Sequence, residues 1–509
     1  MPVQKNKERL FFIVPAVTAL VVLVFAVKDL FFFDEDVFVT KLTSSFMQQS
    51  WQRSFLVKQF FKAENFFFGT SPAGYHIVTV FLHLANAVAG IFLFDTILGF
   101  FKTAAADLFA KRKALLFFFI IFLFSAVHAE PMSYILAQGV MICTLFVQIS
   151  LACFIKGLEG KSLRAIGGLI CFAISLLCYE IGWLVPLMTA GIVILGTGPD
   201  RKLRKKGLVL SLLYAAVLVL WIAGKSVFIS PSLVADYGNI TMADLFSYKT
   251  CRNAFLLFVR SFLPPAHNSN MLIVLTVIFL SVLVFAMRRL LKDNKQIFRL
   301  ALLLVLMVVM AAFPAALFGI DTHDSESERY VYFSSVFAVM LIVCLNAALT
   351  RNSLSVKAVM AVVICGYAFI LLNTVNNYKK GGEFSKTYSI ALWRHSQNVR
   401  TVCTINQPSQ FKGALLLRAL TRLPQKTSAP VTVLQEYMQY LFRDTTTVFI
   451  TLSAKEPARL FDSLKVVQKP ADSAVYQFPE TQKIPGKVSG GNGTLMIAAL
   501  REDTLFIFR

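Results

Sequence analysis

The feature that most constrains this chain is the length of its apolar runs. Many of the apolar residues come in stretches of roughly 18 to 23, and a helix of about 20 residues crosses the hydrocarbon core of a bilayer. The chain has 509 residues, of which 57% are hydrophobic and only 15% are charged. Because a soluble fold of this length has no need for so much apolar surface, the sequence predicts an all-α polytopic membrane protein.

The positive charges of the chain are also arranged as in a membrane protein. In a soluble protein, a formal net charge of +22 would indicate nucleic acid as a partner. Here the Lys and Arg residues cluster in short loops between apolar runs, where they mark the cytoplasmic side and face anionic lipid headgroups. The sequence therefore predicts the lipid bilayer as a partner and excludes nucleic acid.

The basic loops also predict the topology. If all of them are cytoplasmic, each interval between them must hold an even number of spans, and about eleven apolar runs satisfy this rule. The amino terminus is then cytoplasmic and the carboxyl terminus lies outside. The first run is too long for a signal peptide, so we expect an uncleaved helix. The basic loops are 5–9, 102–113, 156–164, 201–206, 288–299 and 351–357, and the runs are 10–27, 75–99, 114–128, 134–155, 165–181, 183–197, 207–230, 271–287, 300–319, 331–349 and 358–376.

The composition changes beyond Asn377. Short β-prone runs alternate there with one predicted helix, Val433–Phe442, and Pro and Gly fall between them. We therefore predict two domains, a multispanning catalytic domain over 1–377 and a small extracytoplasmic α+β domain over 378–509. The β-prone runs are Gly413–Leu417, Thr447–Leu452, Leu495–Ala499 and Thr504–Phe508.

Three consecutive acidic residues, Asp34, Glu35 and Asp36, follow the first apolar run. An acidic cluster at a membrane boundary costs desolvation and mutual repulsion, although taken alone it fits a solvated loop as well as a catalytic base. A carboxylate that takes the proton of an acceptor hydroxyl, with cations that stabilise a leaving phosphate, suits group transfer from a phosphorylated lipid. The predicted topology places the remaining candidates on the same outer side: His76, His128, Glu130, Glu180, Glu328, Arg329 and Tyr330.

Five segments resemble, in order, the motifs of a known family. They are Asp34-Glu35-Asp36-Val37-Phe38-Val39, then Gly74-Tyr75-His76 with Leu82-His83-Leu84-Ala85-Asn86, then His128-Ala129-Glu130-Pro131-Met132-Ser133-Tyr134, then Glu180 with Pro186, and finally Glu328-Arg329-Tyr330-Val331-Tyr332-Phe333-Ser334-Ser335. On these segments the chain resembles the GT-C glycosyltransferases that use polyprenyl-phosphate sugars. It is most similar to their O-mannosyltransferase-like branch, whose members often carry the tetratricopeptide repeats that this sequence lacks.

The resemblance implies an inverting-type enzyme that moves one sugar from a polyprenyl phosphate to an extracytoplasmic protein, lipid or glycan. It implies that Asp34 or Asp36 is the general base, and that Arg329 and Tyr330 contact the donor phosphate. His76, His128, Glu130, Glu180 and Glu328 are expected to take part in donor or acceptor binding. A compact chain without repeats predicts a bacterial inner membrane as the setting.

Two other functions stay open. Tyr179 stands where the family has Lys, Gln138 where it often has Arg, and Ser334 where it has Pro. Because lost cations weaken a phosphate site, a catalytically degenerate homologue with a binding or assembly role is one alternative. A polytopic transporter or flippase is the other, although the two halves of the chain show no internal symmetry.

Two further groups of residues could bind a ligand but have a simpler structural interpretation. His323, Asp324 and Glu326 offer ligands for a divalent cation, but a solvated acidic loop is the better interpretation. His83 and Asn86 lie one turn apart on a predicted helix, which favours hydrogen bonds between helices over a ligand pair. The sequence thus predicts no certain cofactor besides the lipid-linked sugar donor.

Overall fold

Helices dominate the computed structural model of the chain. It describes residues 2–33, 36, 39, 55–101, 108–198, 200–228, 244, 247–265, 269–317, 319–320, 327–349 and 354–396, together with the strands given below. The helices are α1 Pro2–Val27, α2 Phe55–Phe68, α3 Pro72–Phe100, α4 Leu108–Leu123, α5 Ala129–Ser133, α6 Gln138–Leu158, α7 Ser162–Leu176, α8 Val185–Gly196, α9 Arg201–Phe228, α10 Tyr248–Arg260, α11 Ser269–Asp293, α12 Lys295–Leu317, α13 Tyr332–Leu349 and α14 Leu354–Ser396.

The described helices confirm an integral membrane protein. Six of them are long and apolar enough to cross a bilayer, and a bent pair, Lys111–Leu123 with Ala126–Ser133, raises the number to seven. Four shorter apolar helices accompany them. Every apolar run of the sequence falls on a helix, but the shorter helices do not by themselves establish a crossing, so the total of eleven spans stays a prediction.

The chain divides into two compact units. The first comprises Met1–Lys28, Ser50–Ala63 and Gly74–Val375, and the second comprises Asp29–Gln49, Glu64–Ala73 and Asn376–Arg509. The second unit therefore takes in two segments near the amino terminus besides the carboxyl-terminal region.

Helix α14 runs past the change in composition at Asn377 and ends at Ser396. Tyr378, Ser385, Tyr388 and Ser389 are buried at helical spacing in this part. The expectation that short strands and loops begin at residue 378 was therefore wrong for about twenty residues. Several of these buried positions carry small or polar side chains, so the helical spacing cannot be recognised from the apolar residues alone.

Beyond α14, the described residues form a five-stranded sheet of order β4-β1-β6-β7-β5 and a separate β2–β3 pair. β1 is parallel to β4 and β6, whereas β7 is antiparallel to β5 and β6. All four β-prone runs contain a strand, while the helix predicted at 433–442 lies outside the described residues, so the α+β class stays a prediction. The strands are β1 Thr401–Ile405, β2 Gln410–Phe411, β3 Ala414–Leu415, β4 Val448–Leu452, β5 Ala474–Gln477, β6 Leu495–Arg501 and β7 Thr504–Phe508.

The topology makes a testable prediction. Single cysteines placed in 102–113 and 201–206, on a background without the native cysteines, should react with an impermeant thiol reagent only after the membrane is opened. A cysteine at Ala498 should react from outside in intact cells, because the predicted number of spans is odd. Labelling of both basic loops from outside would overturn the predicted orientation.

Candidate functional site

An ion pair joins two of the sequence motifs. Glu130 lies in the short helix α5, and Arg329 lies in a 3-10 helix of one turn, Glu328–Tyr330. The backbone N–H of Arg329 donates to Oε2 of Glu130 at 2.8 Å, and its guanidinium Nη1 contacts Oε1 of the same carboxylate. The Glu130 side chain is fully buried, whereas Arg329 keeps 15% of its side chain exposed. One carboxylate therefore holds both the backbone and the side chain of Arg329.

Aromatic rings surround the Arg329 guanidinium. Its carbon lies 5.0 Å from the ring centre of Tyr134 and 4.9 Å from that of Tyr330, distances at which a cation is attracted to the ring faces. Burial opposes the charge, yet Glu130 and the nearby Tyr330, Tyr134 and Tyr179 keep the pKa of Arg329 well above its ordinary value. The guanidinium is therefore a permanent cation in a partly dry, aromatic setting.

Local sequence explains both halves of the pair. The helix axis bends by 48° between α4 and the segment Ala126–Ser133, and Pro131 is tolerated in α5 because the first turn of a helix needs no N–H from it. Glu130 and Tyr134 are four residues apart, so the N–H of Tyr134 donates to the Glu130 carbonyl at 2.8 Å. Before the second half, Ser327 adopts a φ of 68°, a left-handed conformation that costs energy for serine.

A second ion pair lies beside the first. Glu328 accepts a bond from Nη2 of Arg260 at 2.6 Å, and both side chains are completely buried. Burial raises the pKa of Glu328, the Arg260 guanidinium opposes that rise by stabilising the ionised carboxylate, and the Glu130 carboxylate adds to it. Oε2 of Glu328 has no hydrogen-bond partner among the described residues. Arg260 was not predicted from the sequence, and it belongs at this site.

A buried histidine network flanks the pairs. Nδ1 of His83 lies 2.8 Å from the Tyr332 hydroxyl, and Nε2 of His128 lies 2.8 Å from Oγ of Ser335. The two imidazole centres are 4.9 Å apart. Both histidines are fully buried. Through these hydrogen bonds, α3 and the residue directly before α5 are connected to α13, the helix that follows Arg329. As expected, His83 forms hydrogen bonds between helices, and Asn86 does the same through the Met141 carbonyl at 3.0 Å.

Glu180 opens a 3-10 turn between α7 and α8. Its side chain is only 3% exposed, and its Oε1 has no hydrogen-bond partner among the residues the structure describes. A buried carboxylate oxygen without a donor costs free energy, so it needs a compensating ligand or a structural reason. Its neighbour Tyr179 is one of the tyrosines near Arg329.

Glu180→Gln tests whether this oxygen accepts a hydrogen bond from substrate. If the chain transfers sugar, as the resemblance implies, we expect transfer to fall roughly tenfold to a hundredfold, since a bond to a charged acceptor contributes about 1.5–3 kcal/mol. Stability should not fall, because the amide keeps the shape and removes a buried charge. Sugar transfer and thermal unfolding would be measured beside Glu159→Gln, a partly exposed glutamate that pairs with Lys156. Unchanged transfer would remove Glu180 from the site.

The other predicted residues divide into three groups. Tyr330 is partly buried and packs on the hydrophobic cluster around Leu257 and Val331, while His76 is fully buried in α3. Asp36 belongs to the second unit; its side chain is buried, and its Oδ2 accepts the Phe33 N–H at 3.3 Å. Asp34 and Glu35 lie outside the described residues.

The metal prediction is not tested. His323, Asp324 and Glu326 lie outside the described residues. Among the residues that the structure does describe, no group of three or more His, Cys, Asp or Glu side chains is arranged to hold a metal ion. A solvated acidic loop therefore stays the prediction, with a divalent cation as the alternative.

The comparisons with known proteins give the following. No family model matches the chain, and no curated protein matches it. Two solved structures are similar: ArnT from Cupriavidus metallidurans in the apo state, with 12% identity, 97% of each chain covered and a TM-score of 0.41, and ArnT from the same organism bound to undecaprenyl phosphate, with 12% identity, 97% coverage of each chain and a TM-score of 0.43. At TM-scores under 0.5 this likeness does not establish a shared fold.

Proposed function

We propose that the chain is a GT-C-type glycosyltransferase that transfers a sugar from a polyprenyl-phosphate donor to an acceptor outside the cytoplasm. The bacterial inner membrane is the proposed setting, and membership of the O-mannosyltransferase-like branch remains part of the proposal. The sugar and the acceptor class are left open, with protein, lipid and glycan all compatible with a hydroxyl acceptor.

One observation carries this proposal. Glu130 and Arg329 come from two motifs 199 residues apart, and they meet in a single ion pair. The Arg329 guanidinium is partly exposed, permanently charged and lined by Tyr134 and Tyr330. A cation in such a setting is little screened by water, which suits binding to a lipid phosphate at headgroup level.

The proposed chemistry assigns a role to each of these groups and to the acidic triplet. Asp34 or Asp36 takes the proton of the acceptor hydroxyl as that oxygen forms its bond to the anomeric carbon of the sugar. The bond between this carbon and the donor phosphate oxygen breaks, and its electron pair leaves with the phosphate. Arg329 stabilises the charge that grows on the departing phosphate, with the Tyr330 hydroxyl as a further donor. Attack opposite the leaving group inverts the anomeric centre.

A direct assay tests the proposed function. Membranes that contain the chain would be incubated with a panel of radiolabelled polyprenyl-phosphate sugars, and labelled acceptor would be separated from donor. We expect product with at least one donor and none with membranes that lack the chain. Movement of the donor across the bilayer without any glycosylated product would favour the flippase, and no product from any donor would overturn the proposal.

A degenerate homologue is the second candidate, and one observation favours it. The Arg329 guanidinium already pairs with Glu130 through Nη1, and Tyr179 and Gln138 stand where the family pattern has Lys and Arg. Gln138 instead donates to the Tyr75 carbonyl at 3.0 Å and to Oγ1 of Thr79 at 2.9 Å. Such a protein would bind a polyprenyl phosphate without transferring sugar, which the same assay combined with a binding measurement would detect.

A further inference from the structure

The end of helix α10 is fixed to the segment that carries Arg329 by two polar contacts. Nη2 of Arg260 contacts Oε1 of Glu328 at 2.6 Å, and Oγ of Ser261 lies 2.6 Å from Oγ of Ser334. Leu257, one turn before Arg260, shares a buried hydrophobic cluster with Val331. Helix α10 is thus joined to this segment at residues before and after Arg329.

The buried ion pair is better explained by geometry than by stability. Arg260 and Glu328 are both 0% exposed, and two buried charges recover little more than their desolvation cost, so apolar residues of similar volume would stabilise the fold as well or better. What an ion pair adds is direction, because a guanidinium and a carboxylate attract each other in a restricted set of orientations. Arg260 also donates to the Leu263 carbonyl, which restrains the other side of its guanidinium.

We propose that Arg260 is a positioning residue that orients Arg329 through Glu328. Glu328 directly precedes Arg329 in a turn of only three residues, so fixing its side chain restrains the peptide between them. The N–H of that peptide donates to Oε2 of Glu130 at 2.8 Å, which sets the direction of the guanidinium. The inference rests on the proposed function, because it assigns Arg260 to the binding of the same donor phosphate.

Binding of a polyprenyl phosphate without sugar tests this inference separately from catalysis. Wild type, Arg260→Met, Arg260→Lys and the double variant Arg260→Met/Glu328→Leu would be purified in detergent, and the Kd for the polyprenyl phosphate measured with the KM for donor and kcat. The double variant removes both buried charges, so it should fold even if Arg260→Met does not. Arg252→Met, on an exposed part of the same helix, is the matched control.

We expect the double variant to raise Kd and donor KM about tenfold to a hundredfold, since small displacements of a binding group have effects of this size. Its kcat should change less, Arg260→Lys should recover part of the affinity, and Arg252→Met should behave like wild type.

A merely structural role would instead lower the amount of folded protein and leave Kd unchanged. A double variant that is folded and binds with wild-type affinity would overturn the assignment of Arg260 alone. Failure of wild type to bind the polyprenyl phosphate would overturn the proposed function and this inference with it.

Discussion

Arg329→Ala is expected to reduce sugar transfer about a hundredfold to a thousandfold, the usual cost of removing one group that stabilises developing charge in a water-poor site. The guanidinium is only 15% exposed, so its attraction to a phosphate is screened far less than on the surface. Arg329→Lys should recover little, because an ammonium cannot hold Glu130 and a phosphate in the same planar geometry. Initial rates at saturating and limiting donor would separate the effect on kcat from that on KM.

Two controls separate this role from a structural one. Arg289→Ala breaks an ion pair with Asp293 whose side chains are about half exposed, and it should leave transfer unchanged because exposed pairs contribute about 0–1 kcal/mol. Glu130→Gln removes the charge of the partner but leaves the Arg329 cation in the site, and the amide oxygen can still accept the Arg329 N–H. If Arg329 binds the phosphate, Arg329→Ala should reduce transfer per folded protein far more than Glu130→Gln. Similar losses from both variants would indicate that the pair only maintains the fold.

The sequence predicted the helices well because their signal is local. An apolar run such as 75–99 or 300–319 specifies a membrane helix by its own length and composition, and α3 and α12 cover these runs. The predicted topology and the family resemblance placed Glu130 and Arg329 on the same outer side, but neither predicted that the two residues meet, since no spacing rule relates residues 199 positions apart. Long-range contacts of this kind are seen only in the structure.

What the sequence missed has physical causes. Arg260 ends an amphipathic helix and has the appearance of a surface arginine; its role depends on Glu328, 68 residues away. Strand β1, Thr401–Ile405, was not predicted although it pairs with both β4 and β6. It is only five residues long, and a run of that length that follows a helix carries a weak local signal.

The acidic triplet provides the prediction with the largest expected effect. Asp34→Asn with Asp36→Asn should reduce transfer about a hundredfold to ten-thousandfold, the usual contribution of a positioned general base. The fold should survive at Asp36, because an amide oxygen replaces the carboxylate oxygen that accepts the Phe33 N–H at 3.3 Å. Asp29→Asn is the control: Asp29 lies in the same segment, is about half exposed and pairs with Lys379 at 3.0 Å.

The single variants decide which carboxylate acts. One of Asp34→Asn and Asp36→Asn should carry most of the loss, because only one carboxylate reaches the acceptor hydroxyl, while its neighbour orients it or raises its pKa by repulsion. If Asp36 only stabilises the buried turn by accepting the Phe33 N–H, Asp36→Ala should destabilise the protein and Asp36→Asn should keep full activity. If the triplet only belongs to a solvated loop, both single variants and the double variant should transfer sugar like wild type. Near-normal transfer by a folded double variant would therefore exclude Asp34 and Asp36 as the base and, with them, the mechanism proposed for this chain.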